Sequence, residues 1–440
     1  MSQSFNLDFI IPDFYDFCTH LKEIFERCRN NNEGNVASYI PELAKSEKDK
    51  WAMSVCTVDG QRFSLGDVDD PFTMQSCSKP ITYGICLNEL GPDFVHNYIG
   101  HEPSGRDFNK MVLDKNDKPH NPMLNSGAII SASLLMSSIR KEMTLDEKFD
   151  YIQSYMKRIA GDEFVGFNKS VFLSELNAND RNYALGYYMK EKNFFPSGEK
   201  EIFEEYMKFY YKLCAIEVNT DSLAIMGATL ANGGICPTTG EKVLAGSNCV
   251  RNVLSLMYSC GMYNYSGEFA FKVGLPAKSG VSGGLILVIP NLMGIGLWSP
   301  PLDKIGNSSR SLQFCKELVD VFNFHDFDNL NYSEKKIDPR RSMHQIAGLS
   351  ICSLLFAAKA GDLSTFKKFR LKGVDMQKAD YDGRTALHLA AAEGHFDLVK
   401  YLVERVKVNP RPKDRWNSTP YNDAIRSNNI EVIEYLRKYS

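Results

Sequence analysis

The longest apolar stretch of the chain, Gly283 to Trp298, is broken in its middle by Pro290-Asn291. A membrane-crossing helix needs about 20 consecutive apolar residues, so this stretch reads as a buried hairpin. Its strands are expected over Gly284 to Ile289 and Met293 to Trp298. A third strand is expected over Phe269-Ala270-Phe271-Lys272-Val273. Far upstream, Ala52 to Val58 and Gln61 to Leu65 flank Asp59-Gly60, a dipeptide that suits a tight hairpin turn. Helical patterns fill the sequence between: Ile81 to Leu90, closed by Gly91-Pro92, then Ser126 to Met136, Thr144 to Ile159, Glu175 to Gly186, Phe203 to Cys214 and Ser222 to Ala231. Helices are also expected over Phe14 to Arg29 and Ser311 to Phe322. Strands near both ends and helices in the middle give an α+β order, an antiparallel sheet built from both ends of the region around a helical insertion.

The pattern changes after the polar stretch Asn323 to Gln345. Asp382-Gly383-Arg384-Thr385-Ala386-Leu387-His388-Leu389-Ala390 matches the ankyrin signature, with T-P-L-H-x-A at its centre. Thr385-Ala386 returns as Thr419-Pro420, 34 residues on, and Gly394 is anticipated by Gly361, 33 residues back. About two and a half to three repeats follow, the least that makes a stable stack. His388 reads as a structural histidine bonded to turn backbone. The expected divisions are a helical lead-in over 1–34, an α+β domain over 35–325, a linker over 326–345 and all-α ankyrin repeats over 346–440.

The formal charge of −3, with no basic run, argues against a nucleic-acid footprint. The 11 cysteines are scattered and form no C-x-x-C pair, which fits reduced thiols in an intracellular compartment. No Arg or Lys precedes Lys22, so the N-terminus reads as neither a secretory signal nor a mitochondrial transit peptide. Signatures for a bound nucleotide, flavin or zinc are absent from the sequence; the expectation is no metal and no cofactor.

Gln75-Ser76-Cys77-Ser78-Lys79-Pro80 stands just before the apolar run that starts at Ile81. Lys79 stands three positions after Ser76, so a helix starting here puts both on one face of its first turn. A serine hydroxyl needs a base to become a nucleophile, and a desolvated lysine can serve. S-x-x-K marks serine β-lactamases and penicillin-binding proteins. Alone it also describes an N-cap serine beside a solvated lysine. The triplet Lys278-Ser279-Gly280, ahead of the strand-like run at Val281, is the partner signature in those enzymes. A strand edge there can lend the Val281 N–H to an oxyanion hole whose other donor is the Ser76 N–H. Glu175 and Asn182, seven residues apart, share one face if their segment is one helix. They could then hold the two ends of a free amino acid, or form a solvated face. Tyr39, Tyr210 and Tyr263 are either core phenols or the polar remainder of a site.

With these residues in place the sequence resembles the animal kidney- and liver-type glutaminases that carry ankyrin repeats. The matching stretches include Tyr39 to Lys45, Cys56 to Arg62, Gln75 to Pro80, Lys118 to Asn125, Asp180 to Tyr188, Cys260 to Tyr263 and Val273 to Val281. The resemblance implies a β-lactamase-like fold and hydrolysis of L-glutamine to L-glutamate and ammonia. It implies Ser76 as nucleophile, Lys79 as base, and substrate held among Tyr39, Ser76, Asn125, Glu175, Asn182, Tyr210, Tyr263 and Val281. Tyr263 then passes a proton to the leaving ammonia or holds Lys79 in line. It also implies a homotetramer activated by inorganic phosphate, and protein partners for the ankyrin tail; whether tetramers stack into filaments does not follow from the sequence. The matching activation loop holds Arg106, Phe108, Asn109 and Lys110, and reads Gly-Arg-Asp-Phe over 105–108 where the vertebrate pattern is Gly-Leu-Arg-Phe. A mitochondrial location follows from the resemblance, with the cytosol as alternative. Two rival readings are another serine amidohydrolase of the β-lactamase class and a non-catalytic ankyrin scaffold.

Overall fold

The computed structural model describes residues 10–105, 111–196, 202–246, 248–328, 336–340, 343–371 and 374–439. They fall into two compact units, Met1–Arg340 and Arg341–Ser440. The first unit runs α1 (Phe14–Arg29), β1 (Ala52–Thr57), β2 (Arg62–Gly66), β3 (Phe72–Thr73), α2 (Ser78–Leu90), α3 (Pro92–Tyr98), α4 (Asn125–Ser138), α5 (Leu145–Ile159), β4 (Val165–Phe167), α6 (Lys169–Ala178), α7 (Asp180–Glu191), α8 (Phe203–Cys214), β5 (Ile216–Val218), α9 (Thr220–Ala231), α10 (Cys249–Cys260), α11 (Ser266–Lys272), β6 (Ala277–Ser279), β7 (Gly284–Ile289), β8 (Met293–Trp298) and α12 (Ser309–Val321).

Five strands form one antiparallel sheet in the order β2-β1-β8-β7-β6. Ala52 and Gly284 both pair with Trp298, so the two chain ends of the unit meet in the sheet's centre, as the α+β order requires. Side chains alternate between the faces. On one face Met53, Val55, Leu285, Leu287, Ile295 and Leu297 pack with α1 and α12, where Phe25 stacks on Trp51 at 5.0 Å. On the other, Cys56, Ile286, Val288 and Trp298 join the larger core of the helical insertion. Both faces are covered, and that is why these strands read as unbroken apolar runs.

Helix α9 lies directly across β8, and the close approach depends on glycine. A Cβ at Gly294 would stand 2.1 Å from the Ala228 nitrogen, and one at Gly296 would stand 2.4 Å from the Thr220 carbonyl oxygen. A smaller sheet, β3-β5-β4, closes the floor beneath the insertion; strands of two or three residues leave no readable alternation.

Two expectations are corrected here. Phe269 to Val273 is the end of helix α11: Phe269 is buried while Phe271 is 83% exposed, and Glu268 pairs with Lys272 at 2.6 Å, one helical turn on. A five-residue alternation does not outweigh that helical pairing, and the edge position beside β7 belongs to Ala277–Ser279. Glu175 and Asn182 lie on separate helices, α6 and α7, parted at Asn179 with φ −122° and ψ 48°. The helix over Cys249–Cys260 lies outside the sequence expectations.

The second unit contains α13 (Met343–Lys359), α14 (Leu363–Leu371), α15 (Ala386–Ala392), α16 (Phe396–Lys400), continued by a wider turn over Tyr401–Val406, then α17 (Pro420–Arg426) and α18 (Ile430–Arg437). His388 is fully buried; its Nδ1 accepts from the Thr385 N–H at 3.1 Å, and its Nε2 meets the Ser418 carbonyl of the next repeat at 3.2 Å. Its role is structural, as expected. No described helix in either unit is long and apolar enough to cross a membrane.

Gly294→Ala drives a methyl group into α9 backbone that cannot yield, so thermal or urea unfolding is expected to show a loss of ~3 kcal/mol or more. Gly267→Ala, where a Cβ meets nothing within 4 Å, is expected to be neutral or slightly stabilising.

Candidate active site

The chain enters α2 through a tight turn over Gln75–Cys77. Gln75 holds φ at +47°, an uncommon conformation for a residue with a side chain. The turn is pressed against the end of β6: the Cys77 thiol donates to the Lys278 and Gly284 carbonyls at 3.3 and 3.4 Å. A Cβ at Gly280 would stand 2.7 Å from the Met74 carbonyl oxygen, so the glycine of the Lys-Ser-Gly triplet permits the contact. The two signatures, 200 residues apart in sequence, are thus packed together.

Lys79 is buried, and no carboxylate pairs with it. Its Nζ donates to Asn125 Oδ1 at 2.6 Å and to the Met123 carbonyl at 3.3 Å. Burial brings its pKa down to about 8, because a low-dielectric setting disfavours the charged form. A neutral lysine has two N–H bonds and one lone pair. Both acceptors together would engage the two N–H bonds of a neutral Lys79 and leave its lone pair unused by them.

The bond from Lys79 also fixes the amides beyond it. Asn125 accepts through Oδ1, so its Nδ2 donates to Asn182 Oδ1 at 2.9 Å. The Asn182 Nδ2 in turn donates to Asn179 Oδ1 at 3.3 Å. Across the site, Gln75 Nε2 donates to Glu175 Oε2 at 3.2 Å. Burial raises the Glu175 carboxyl to about 7, against the opposing pull of Gln75 and Lys79.

These groups surround a cavity of about 460 Å³ lined by Tyr39, Gln75, Ser76, Asn125, Glu175, Asn179, Asp180, Arg181, Asn182, Tyr210 and Cys214, among others, within the size range of small-molecule sites. Six of the expected site residues line it together: Tyr39, Ser76, Asn125, Glu175, Asn182 and Tyr210. Tyr39 is 52% exposed and stands at the rim, while Tyr210 is buried. Lys79, Tyr263 and Val281 are not among the lining residues; Val281 is buried in an apolar cluster against Tyr263. The Tyr263 phenol has its pKa raised by burial, opposed by a hydrogen bond with Ser76. Tyr263 holds φ at +54°. Its ring also lines a second cavity of about 490 Å³ beside Pro103, Ser104 and Gly105. Arg106, Phe108, Asn109 and Lys110 of the expected activation loop lie outside the described residues.

Sequence reasoning gave no side-chain role to two residues of the motifs it named. Gln75 sits inside the motif, yet only the left-handed turn shows why its side chain reaches Glu175. Lys278 is fully buried, donates to the Ser279 carbonyl at 2.7 Å and places Nζ 4.5 Å from the centre of the Tyr263 ring. Burial first, and the Lys79 charge second, lower its pKa to about 7. Among the described residues no group of three or more metal-ligating side chains comes together.

Residues 34–327 match the glutaminase family model, and residues 354–440 match that of ankyrin repeats in three copies. The chain is 52% identical over 439 residues to the mitochondrial glutaminase liver isoform of Rattus norvegicus, and 51% identical to that of Mus musculus; each match covers 100% of this chain and 72% of the relative. A solved structure of a probable glutaminase, YbaS, superposes with a TM-score of 0.66 at 33% identity, covering 72% of this chain and 100% of its own.

The raised Glu175 pKa has a cost in stability. Between the ordinary carboxyl value of 4.5 and about 7, the folded state holds a proton that the unfolded state has released, so stability falls as pH rises through this window. Glu175→Gln is therefore expected to be more stable than wild type at pH 8, by up to ~3 kcal/mol, and to unfold at a higher temperature. The difference should shrink below pH ~4.5, which calorimetry across pH checks.

Proposed function

The chain belongs to the glutaminase family, and from that premise we propose that Ser76 attacks the side-chain amide of L-glutamine with Lys79 as its base. The products of the reaction are L-glutamate and ammonia. One observation carries the assignment: Lys79 is a buried amine held by neutral acceptors, with its pKa brought to about 8 and its two N–H bonds accounted for. That is the state in which a lysine can accept a serine proton.

Glu175 pairs with the substrate α-ammonium, which replaces the missing counter-charge of a buried carboxylate. Asn125 and Asn182, oriented by the amide chain from Lys79, donate their remaining N–H bonds to the α-carboxylate. Tyr210 and Tyr39 close the wall. Ser76 Oγ adds to the amide carbon and its proton passes to Lys79. The N–H groups of Ser76 and Val281 hold the oxyanion. The C–N bond then breaks as the proton held by Lys79 is passed through Tyr263 to the nitrogen, which leaves a γ-glutamyl ester on Ser76 and a neutral Lys79. Water adds to that ester with Lys79 again accepting the proton, and that proton returns to Ser76 Oγ as the ester C–O bond breaks and glutamate departs. Lys278 lies over the Tyr263 ring and keeps the phenol aimed at Ser76.

We extend the proposal to regulation and setting. Phosphate activation and a homotetramer are supported by the family resemblance. The second cavity supports the first of these, because it joins Tyr263 to the described flank of the expected activation loop. A mitochondrial location is supported by the names of the rat and mouse relatives. The ankyrin repeats mark the second unit as a protein-interaction module.

Ammonia release from L-glutamine is expected to fall at least ~10³-fold in Ser76→Ala, and retention of activity would remove Ser76 as nucleophile. In wild type, kcat/KM should climb with pH to a plateau through an apparent pKa near the Lys79 value of about 8. Tyr263→Phe should lower kcat by ~10²-fold or more with little change in KM; near-normal kcat would remove the proton-transfer role. Added inorganic phosphate should raise the rate, and indifference to it would overturn the activator reading.

A further inference from the structure

Two successive turns of the second unit are built on one plan. Asp380 Oδ1 accepts from the N–H groups of Asp382 and Arg384 at 3.0 and 2.8 Å. Asp414 Oδ1 accepts from those of Trp416 and Ser418 at the same two distances. The tips are therefore equivalent, Tyr381-Asp382 in one and Arg415-Trp416 in the next. They are also joined, since the Arg415 N–H donates to the Asp382 carbonyl at 2.8 Å and the guanidinium pairs with the Asp382 carboxylate at 2.7 Å. That guanidinium lies 5.1 Å from the Tyr381 ring centre and 5.7 Å from that of Trp416. Tyr381 is 91% exposed and Trp416 is 63% exposed. Two large aromatic groups held outward with an arginine between them are not needed by the repeat's own core, which is formed by Leu387, Ala390, Leu398 and Leu402 with their neighbours.

The strand-like approach to the second tip adds charge in one direction. From 408 to 415 burial alternates. Val408 and Asp414 are buried and Pro410 and Pro412 are half-buried, whereas Asn409, Arg411, Lys413 and Arg415 are exposed. The two prolines fix their own φ, and the exposed positions around them carry Arg411, Lys413 and, in the turn itself and paired with Asp382, Arg415. The one acid in this stretch, Asp414, points inward and is engaged by backbone N–H groups. A row of three cations on a stiffened segment, ending at two exposed rings, loses little conformational freedom when a ligand lies along it.

We propose that the row Arg411, Lys413, Arg415 and the rings of Tyr381 and Trp416 form a docking surface for an extended, acidic peptide segment of a partner protein. Carboxylates meet the cations, and an apolar or aromatic side chain of the segment seats against Trp416. Charge complementarity selects this occupant over a nucleic acid. Asp382 sits within the surface and Asp375 is exposed on the same turn region, and a polyphosphate backbone with closely spaced charges needs an unbroken cationic track. Separate carboxylates do not.

The test uses the full chain and fluorescence anisotropy with three labelled probes: a synthetic peptide alternating Glu with Phe and Leu, the same peptide with Lys for Glu, and a single-stranded oligonucleotide of matched charge. The acidic peptide is expected to bind, more weakly as salt rises, and the Lys peptide is not. Arg411→Glu with Lys413→Glu should weaken binding ~10-fold or more, and Trp416→Ala ~5-fold. Glutamine turnover and the unfolding temperature should stay at wild-type values in both variants. Absence of acidic-peptide binding, equal binding by the double variant, or tighter binding of the oligonucleotide overturns the proposal. So does self-association by sedimentation that the double variant abolishes, which makes the occupant a second copy of the chain.

Discussion

Everything at the site depends on burying the amine of Lys79 on neutral acceptors, with Glu175 near enough to be felt but not bonded to it. A charged ammonium in that position carries a desolvation penalty of several kcal/mol, and the fold offers it only the Asn125 amide oxygen and the Met123 carbonyl. Burial therefore makes the proton easier to remove, near pH 8 in place of the ordinary 10.5. The result is a base near neutral pH, and the same bonds that hold the base orient Asn125 and then Asn182. One buried side chain thus orients two amides of the pocket wall and, in the proposed mechanism, activates Ser76. Glu175 is the mirror case, a carboxyl whose burial favours its neutral form until a cation arrives.

The sheet explains how these groups come together. Helix α2 carries Lys79 and follows the turn that holds Ser76; that turn is seated on the end of β6, and α9 is pressed onto β8 through two glycines. Each contact is between backbones or through glycine, where tolerance is least. Loosening the sheet is therefore a way to lose activity from far away. Lys278 belongs to this framework. It is buried on the strand beside the turn, and its amine lies over the ring of Tyr263.

Much of the architecture was legible in the sequence because it rests on long, periodic segments. The hairpin interrupted at Pro290-Asn291, the hairpin at Asp59-Gly60 and the ankyrin signature all name their structures. Ser76, Lys79 and the Lys278-Ser279-Gly280 triplet were legible because serine activation requires such residue types, and family resemblance supplied the rest of the pocket. What could not be read is local and short. Five alternating residues at Phe269 suggested a strand where an i, i+4 ion pair makes a helix. Asn179 divides what looked like one helix into two, yet Glu175 and Asn182 still face one cavity. The left-handed backbone at Gln75 and Tyr263 has no sequence signal, since neither is glycine, asparagine or aspartate. Such conformations persist only when the surroundings impose them.

The most direct test is an NMR titration of the protein carrying lysines labelled at Cε, with the Lys79 resonance assigned by its loss in Lys79→Met. The account predicts a resonance that titrates near 8 and moves when Asn125 is replaced by alanine. A Lys79 amine that remains protonated up to pH ~10, as an exposed lysine does, would contradict the central claim that burial makes it the base.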